Sequence, residues 1–310
     1  MRVTRIVACL AVAVGATLIP ARGAAAATAP APTTSRYMKS TDASVLDRQG
    51  CAQGQSVQQG AIVLDFGRPA VSGTSYGTII FGANTFRSVA QIEAAAKSFL
   101  TGYWRCSPYY TRITLLIGTS NYGGSVSYSH GKAWSGMVNN VLAWIGSQQY
   151  TVQEDVAAGS DIELSWNTAT ASRTWVDGYG SIDVRPAYDY GDAAGCPPYG
   201  SCNNGWRQED VWYVSWGAPP AWPLPEIYTT NASMASEWYR MSLYGYSAHG
   251  YRMNIGGAMT QYQACLDVGG CSTGTNNTPS AGWSQLYGKL NADSRTAQSL
   301  PWSTDITWKN

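Results

Sequence analysis

The 310-residue chain is poor in charge: Asp, Glu, Lys and Arg make up 13% of it, and the formal net charge is +1. That balance leaves no electrostatic footprint for nucleic acid or for an acidic membrane surface. Histidine is scarcer still, with only His130 and His249, distant in sequence. No cysteine pair has zinc-knuckle spacing, so the sequence gives no zinc site. Neither G-x-G-x-x-G nor G-x-x-x-x-G-K-[ST] occurs, which removes the usual support for a nucleotide-binding sheet. After the first residues no stretch is long and apolar enough to cross a bilayer. We find no internal repeat and no mid-chain linker.

Phenylalanine is also rare, at 4, against 13 Trp and 20 Tyr. Trp and Tyr present one apolar and one polar end, which suits them to cover polar ligands such as sugars. The N-terminus reads as a secretion signal over 1–27. It has a basic start with Arg2 and Arg5, an apolar Ile6–Leu18, and small residues at Gly23–Ala27. An Ala/Pro/Thr-rich flexible leader is expected over 28–45, then one domain over 46–310. Cys9 leaves with the signal. Six cysteines in an exported chain imply disulfides, and local pairing is favoured: Cys196 with Cys202, Cys265 with Cys271, leaving Cys51 with Cys106.

Short apolar runs alternate with helical patterns. Strands are expected at Gly60–Gly67, Arg112–Gly118, Ser160–Trp166, Ile182–Tyr190, Val211–Trp216, Leu224–Thr229 and Ile255–Thr260. Helices are expected at Phe86–Trp104, Ala133–Ser147, Thr168–Val176, Asn231–Tyr244 and Ser280–Ala297. Seven or eight strands of about 5–7 residues alternating with helices predict a single α/β domain of the (β/α)8 TIM-barrel type, with an open α/β sheet as runner-up.

Acids recur where these strands end: Asp65 in LDFG, Asp161 and Glu163 in DIELSW, Asp189 and Asp192 in YDYGD, and Glu226 in LPEIY. A barrel places its functional groups at the strand C-termini. In an extended strand Asp161 and Glu163, two apart, would share one face. Glycoside hydrolysis needs one carboxylic acid to protonate the leaving oxygen and a second carboxylate as base or nucleophile. Glu163 is the candidate acid, with Asp65 its first partner and then Glu226 and Asp189. Asp161, Trp166, Trp175, Trp216 and Tyr228 are candidate substrate contacts. The run Gly73–Gly77 matches G-x-S-x-G, but a proline loop precedes it and strand-like residues follow, so a Ser-His-Asp hydrolase lacks its required context. His130 reads as a surface-loop residue.

An Asp ending the first strand and a D-x-E pair on a middle strand, in an exported barrel, resemble the lysozyme-type glycoside hydrolases of family 25 and their hydrolase-like relatives. The alanine-rich signal and Trp/Tyr-rich body also resemble secreted actinobacterial proteins without an assigned activity. The resemblance implies a glycosidase-like pocket with Glu163 as acid. It departs from the family where Phe66–Pro69 follows Asp65 in place of a polar stretch. The expected function is hydrolysis of an extracellular or cell-wall polysaccharide by carboxylate acid/base chemistry. The alternative is a non-catalytic, glycan- or surface-binding barrel. No cofactor, metal, nucleic-acid or membrane partner is expected, and the chain reads as a monomer.

Overall fold

The structure is a computed structural model that describes residues 27–182, 185–272 and 274–309. Eight parallel strands make one sheet: β1 (Thr33–Tyr37), β2 (Gly60–Asp65), β6 (Ile113–Ser120), β7 (Glu154–Asp161), β8 (Ala187–Asp189), β9 (Ala221–Pro223), β10 (Gly257–Thr260) and β11 (Trp302–Thr307). Each pairs with its neighbour in chain order, and β1 pairs with β11. The remaining seam, β9 to β10, is joined by a parallel bridge between Glu226 and Met259 and by Ile227 N–H to Met259 O at 2.8 Å. This is the expected (β/α)8 barrel. Three short antiparallel strands, β3 (Arg68–Ser72), β4 (Ser75–Ile79) and β5 (Phe86–Ser88), stand beside it as a second sheet.

Helices α1 (Ala43–Gln55), α2 (Val89–Cys106), α3 (Tyr128–Ser147), α4 (Ala169–Gly180), α5 (Gln208–Trp212), α6 (Ser233–His249), α7 (Tyr262–Asp267) and α8 (Pro279–Asn291) lie between the barrel strands. Several starts are written in the sequence. Asp42 accepts the Ser44 and Val45 amides, and Ser88 forms a capping box with Gln91 at the start of α2. The strand pleat sorts the core into two parts. Ile62, Leu64, Leu115 and Ile117 face the helices, whereas Ala61, Val63, Leu116, Ala157 and Met259 fill the barrel. The three favoured disulfides are the ones formed, Cys51–Cys106, Cys196–Cys202 and Cys265–Cys271. Among the described residues no helix is long and apolar enough to cross a membrane.

The structure departs from the sequence reading in several places. The signal over 1–27 lies, apart from Ala27, outside the described residues, as do residues 183–184 of the strand expected at Ile182–Tyr190. The span 28–45 is not a loose leader: it holds β1, hydrogen-bonded between β2 and β11, and the start of α1. Asp65 therefore ends the second barrel strand. The strand expected at Ser160–Trp166 ends at Asp161, and Glu163 falls in the following turn. Val211–Trp216 is helical, α5 continuing into a π-turn at Tyr213–Gly217, because its buried Val211, Val214 and Ser215 recur at helical and not strand spacing. His130 is fully buried in α3. Its Nε2–H donates to the Gly77 carbonyl at 2.8 Å and its Nδ1 accepts from the Trp175 indole at 2.9 Å. Ser75 sits at an exposed hairpin tip, not on a strand-to-helix elbow.

Candidate active site

The barrel register sets the height of each inward side chain. Tyr37 pairs with Asp65, Asp65 with Gly118, and Gly118 with Gly159. A Cβ on Gly118 or Gly159 would collide with the Tyr190 ring or hydroxyl, so this glycine pair makes room for Tyr190 inside the barrel. Two residues further along the strands, Ser120 pairs with Asp161. Asp65 and Asp161 thus project into the C-terminal mouth on adjacent layers.

Above them lies a cleft of about 490 Å³. Asp65, Asp161 and Ser120 contribute to its floor, and Arg68 and Asn84 are polar residues in its lining. One wall is aromatic: Tyr37 stacks on Trp308 at 4.1 Å, with Phe81 edge-on to both. A second aromatic pair in the lining is Tyr122 against Trp166, with ring centroids 5.8 Å apart. Trp166 is 38% exposed. The antiparallel hairpin supplies Arg68, Ile79, Ile80 and Phe81, so the insertion after β2 forms part of the cleft.

The acids cluster beneath. Asp161, Glu163 and Glu226 each place an oxygen within 4.8 Å of the others. Asn121 fixes the turn that carries Glu163: its Oδ1 accepts the Glu163 N–H at 3.1 Å and its Nδ2 donates to the Glu163 carbonyl at 3.0 Å. Asp192 accepts the Leu164 N–H at 3.0 Å and is hydrogen-bonded to the Glu163 carboxyl. Glu226 is hydrogen-bonded to Glu163 and to Tyr228. Asp65 accepts the Gly67 N–H at 2.8 Å through Oδ1 and is hydrogen-bonded to Tyr190, while the Asp161 Oδ1 is buried with no hydrogen-bond donor.

Burial controls the charge here, because desolvation penalises the ionised form. It pushes the Asp65 carboxyl up to about 7 and Glu163 up to about 8, with the neighbouring Asp192 charge adding to the latter. Asp161 and Glu226 are raised well above the ordinary carboxylate range, first by burial and then by the field of Glu163, with Asp65 adding to Asp161 and Asp161 adding to Glu226. The tyrosines Tyr37, Tyr190 and Tyr228 are buried against the same acids and pushed well above their ordinary range. Each acid disfavours ionisation of the next, so the cluster holds protons that isolated carboxylates would lose.

The structure gathers Asp65, Asp161, Glu163, Glu226 and Tyr228 at one place and puts Trp166 on the cleft wall. Asp189 lies deeper and is engaged, accepting the Ser215 hydroxyl at 2.6 Å and the Gly191 N–H at 3.0 Å, so it anchors the π-turn. Trp175 is buried between helices on His130, and Trp216 packs edge-on against Trp222, which lines a cavity with Trp302 and Gly256 near the strand N-termini. Neither lines the cleft. Tyr37, Phe81, Tyr122, Tyr190 and Trp308 escaped the sequence reading. The oxygens of Asp161, Glu163 and Glu226 form the hard-donor set that a divalent cation would take. Within the trio a hydrogen bond joins Glu163 and Glu226.

Compared with protein-family models, curated proteins and solved structures, the chain matches none.

Proposed function

We propose that the protein is a secreted glycoside hydrolase acting on an extracellular or cell-wall polysaccharide. The observation that carries this reading is the carboxyl group of Glu163, protonated near neutral pH, within 4.8 Å of the Asp161 carboxyl, under a cleft lined by two aromatic pairs. Glu163 donates its proton to the leaving glycosidic oxygen. Asp161, whose Oδ1 has no donor to satisfy it, faces the anomeric carbon. The two carboxyls oppose each other's ionisation, and burial raises Asp161 too, so Asp161 must lose its proton before it attacks, which puts the acid limb of the rate above the ordinary carboxylate range. Asp65 faces the same cleft and supports the charge that develops on the sugar ring. The aromatic pairs stack on sugar faces and exclude water. Three disulfides accord with export.

The test is a panel of polysaccharides, peptidoglycan included, scored by release of reducing ends. Wild type should cleave at least one member. Glu163→Gln keeps the shape but cannot deliver a proton, so its rate should fall by about 10²–10⁴-fold with the fold intact. Wild-type turnover by the Gln variant would remove Glu163 from the mechanism. A barrel that binds glycans without cleaving any would favour the alternative, a non-catalytic binding protein with the same aromatic cleft.

A further inference from the structure

The cleft has a polarity of charge that its floor alone does not explain. Its acids lie at the bottom, buried and shielded from water. At its rim stands a cation, Arg68, the first residue of the hairpin strand β3, and among the described residues it is the only basic one in the lining. The backbone of Arg68 is held in register with Ile79, so the position is fixed even though the side chain is exposed. The guanidinium reaches across to the loop after β6, where a Cβ on Gly123 would lie 3.9 Å from its Nη1. Among the described residues the Arg68 guanidinium makes no hydrogen bond and no ion pair, although Asp65 is only three residues away and lines the same cleft. Its five N–H donors therefore face the cleft and solvent. A second cation, Lys39, sits at the Trp308 wall. Its Nζ donates to the Trp308 carbonyl at 2.9 Å and lies 5.5 Å from the Trp308 ring centroid. Its side chain packs along Gly82, which lines the cleft.

A planar guanidinium with unused donors beside stacked aromatics matches a carboxylate carried on a sugar ring: the ring stacks while the fork takes the carboxylate bidentately. A neutral glycan would offer this donor set hydroxyl oxygens but no matching charge and no planar bidentate acceptor. We infer that the cleft selects a glycan with carboxylated sugars, and that Arg68 is the residue that reads the carboxylate. This rests on the glycan-cleft reading above and names its substrate class.

Affinity electrophoresis of the full chain tests it in gels containing polygalacturonate, soluble peptidoglycan fragments or dextran. The first carries uronate carboxylates, the second lactyl and peptide carboxylates, and the third none. Wild type should be retarded by at least one carboxylated glycan and not by dextran, and added salt should weaken the retardation. Arg68→Gln should weaken it about 10-fold, the effect of losing a charge-assisted bidentate contact. Arg252→Gln, a change at the opposite end of the barrel, should leave it unaltered and controls for loss of net charge. The gel that retards the protein identifies the uronate or the lactyl/peptide source. Retardation by dextran that matches the carboxylated gels, or carboxylated-glycan binding that survives Arg68→Gln, overturns the inference and leaves the hydrolase reading standing. Retention by no glycan overturns the inference and counts against the hydrolase reading too.

Discussion

Tyr37 and Trp308 stack at 4.1 Å across the seam where the first and last barrel strands meet. Tyr37 ends β1 and Trp308 follows β11, so residues at opposite ends of the described chain build one wall of the cleft. The wall is a product of barrel closure: β1 and β11 pair from Thr33–Thr304 to Arg36–Thr307, and that register brings the two rings to the same height. Trp308→Ala removes the stacked face while leaving the acids in place. We expect stability to fall by about 1–3 kcal/mol from the lost ring contacts. Glycan affinity should fall further than it does for Trp222→Ala at the far end. Denaturant midpoints and affinity electrophoresis measure the two effects. Unchanged glycan binding would mean that the Tyr37–Trp308 face carries no ligand.

His130 ties the cleft hairpin to the helices, donating to Gly77 of β4 and accepting from Trp175 of α4. Burial lowers it to about 4 from an unfolded value near 6.5. The folded protein therefore resists taking the proton that the unfolded chain accepts. Stability is full above about pH 6.5 and falls as the pH drops towards 4, by about 3 kcal/mol in total from this group. The neighbours facing the ring are Tyr76, Trp134 and Trp175, none of them an acid that could hold the charged form. Urea midpoints measured between pH 7 and pH 4 should show the decline, and His130→Gln should flatten it while lowering stability at pH 7. A variant with the same acid limb as wild type would assign the loss to other groups.

Much of the barrel was legible. β2 and β6 are continuous apolar runs, fully engaged on both faces, which is how parallel strands read. β1 was not legible because its inward face is polar. Ser35 accepts the Val63 N–H at 2.7 Å and bonds to Thr304 at 2.6 Å, and Thr33 donates to the Ala61 carbonyl, so hydroxyls do the work of an apolar stripe. β7 was misplaced for a related reason. Its core is Ala157, Ala158 and Gly159, small because Tyr190 needs the space, and its pattern is weaker than that of Ile162 and Leu164, which pack outside the sheet. The acids were found by a spacing argument whose geometry differs from the real one. Asp161 points inward from a strand, but Glu163 is aimed by Asn121 in a turn. Trp308 and Tyr37 carry no local signal, since their meeting depends on closure.

Glu154 starts β7 at the opposite end from the cleft, nearly fully buried, with neither carboxyl oxygen in a well-formed hydrogen bond. Burial pushes it up to about 9 from an ordinary value of 4.5. Below about pH 4.5 the group is neutral in both states and there is no penalty. Between 4.5 and 9 the unfolded chain releases the proton that the folded protein keeps, so stability declines by up to about 1.4 kcal/mol per pH unit. Asp65, raised to about 7 by burial, contributes in the same direction over its own shorter range. Glu154→Gln, uncharged throughout, should be more stable than wild type at pH 8 and closely matched at pH 4. Thermal unfolding at both values measures this. An equal response to pH in variant and wild type would rule out Glu154 as the source.

For the proposed hydrolase the spacing of the carboxyls predicts a stereochemical outcome. Retaining glycosidases hold their two carboxyl groups about 5–5.5 Å apart, whereas inverting enzymes need about 6.5–9.5 Å to fit a water between base and sugar. Asp161 and Glu163 offer oxygens within 4.8 Å of each other, nearer the retaining than the inverting spacing. In the proposed reaction Asp161 therefore attacks the sugar directly as Glu163 protonates the departing oxygen. Glu163, now ionised, then draws the proton from the water that releases the glycosyl group. Proton NMR of the first-formed anomer should show retention. The rate should also fall as the pH rises through about 8, because the Glu163 proton is lost there, its high value set by burial and the Asp192 charge. Asp161→Asn should lower the rate by at least about 10²-fold, and added azide should restore part of it by attacking in place of the missing carboxylate. An inverted first product would require a more distant pair and would move the second carboxylate from Asp161 to Asp65.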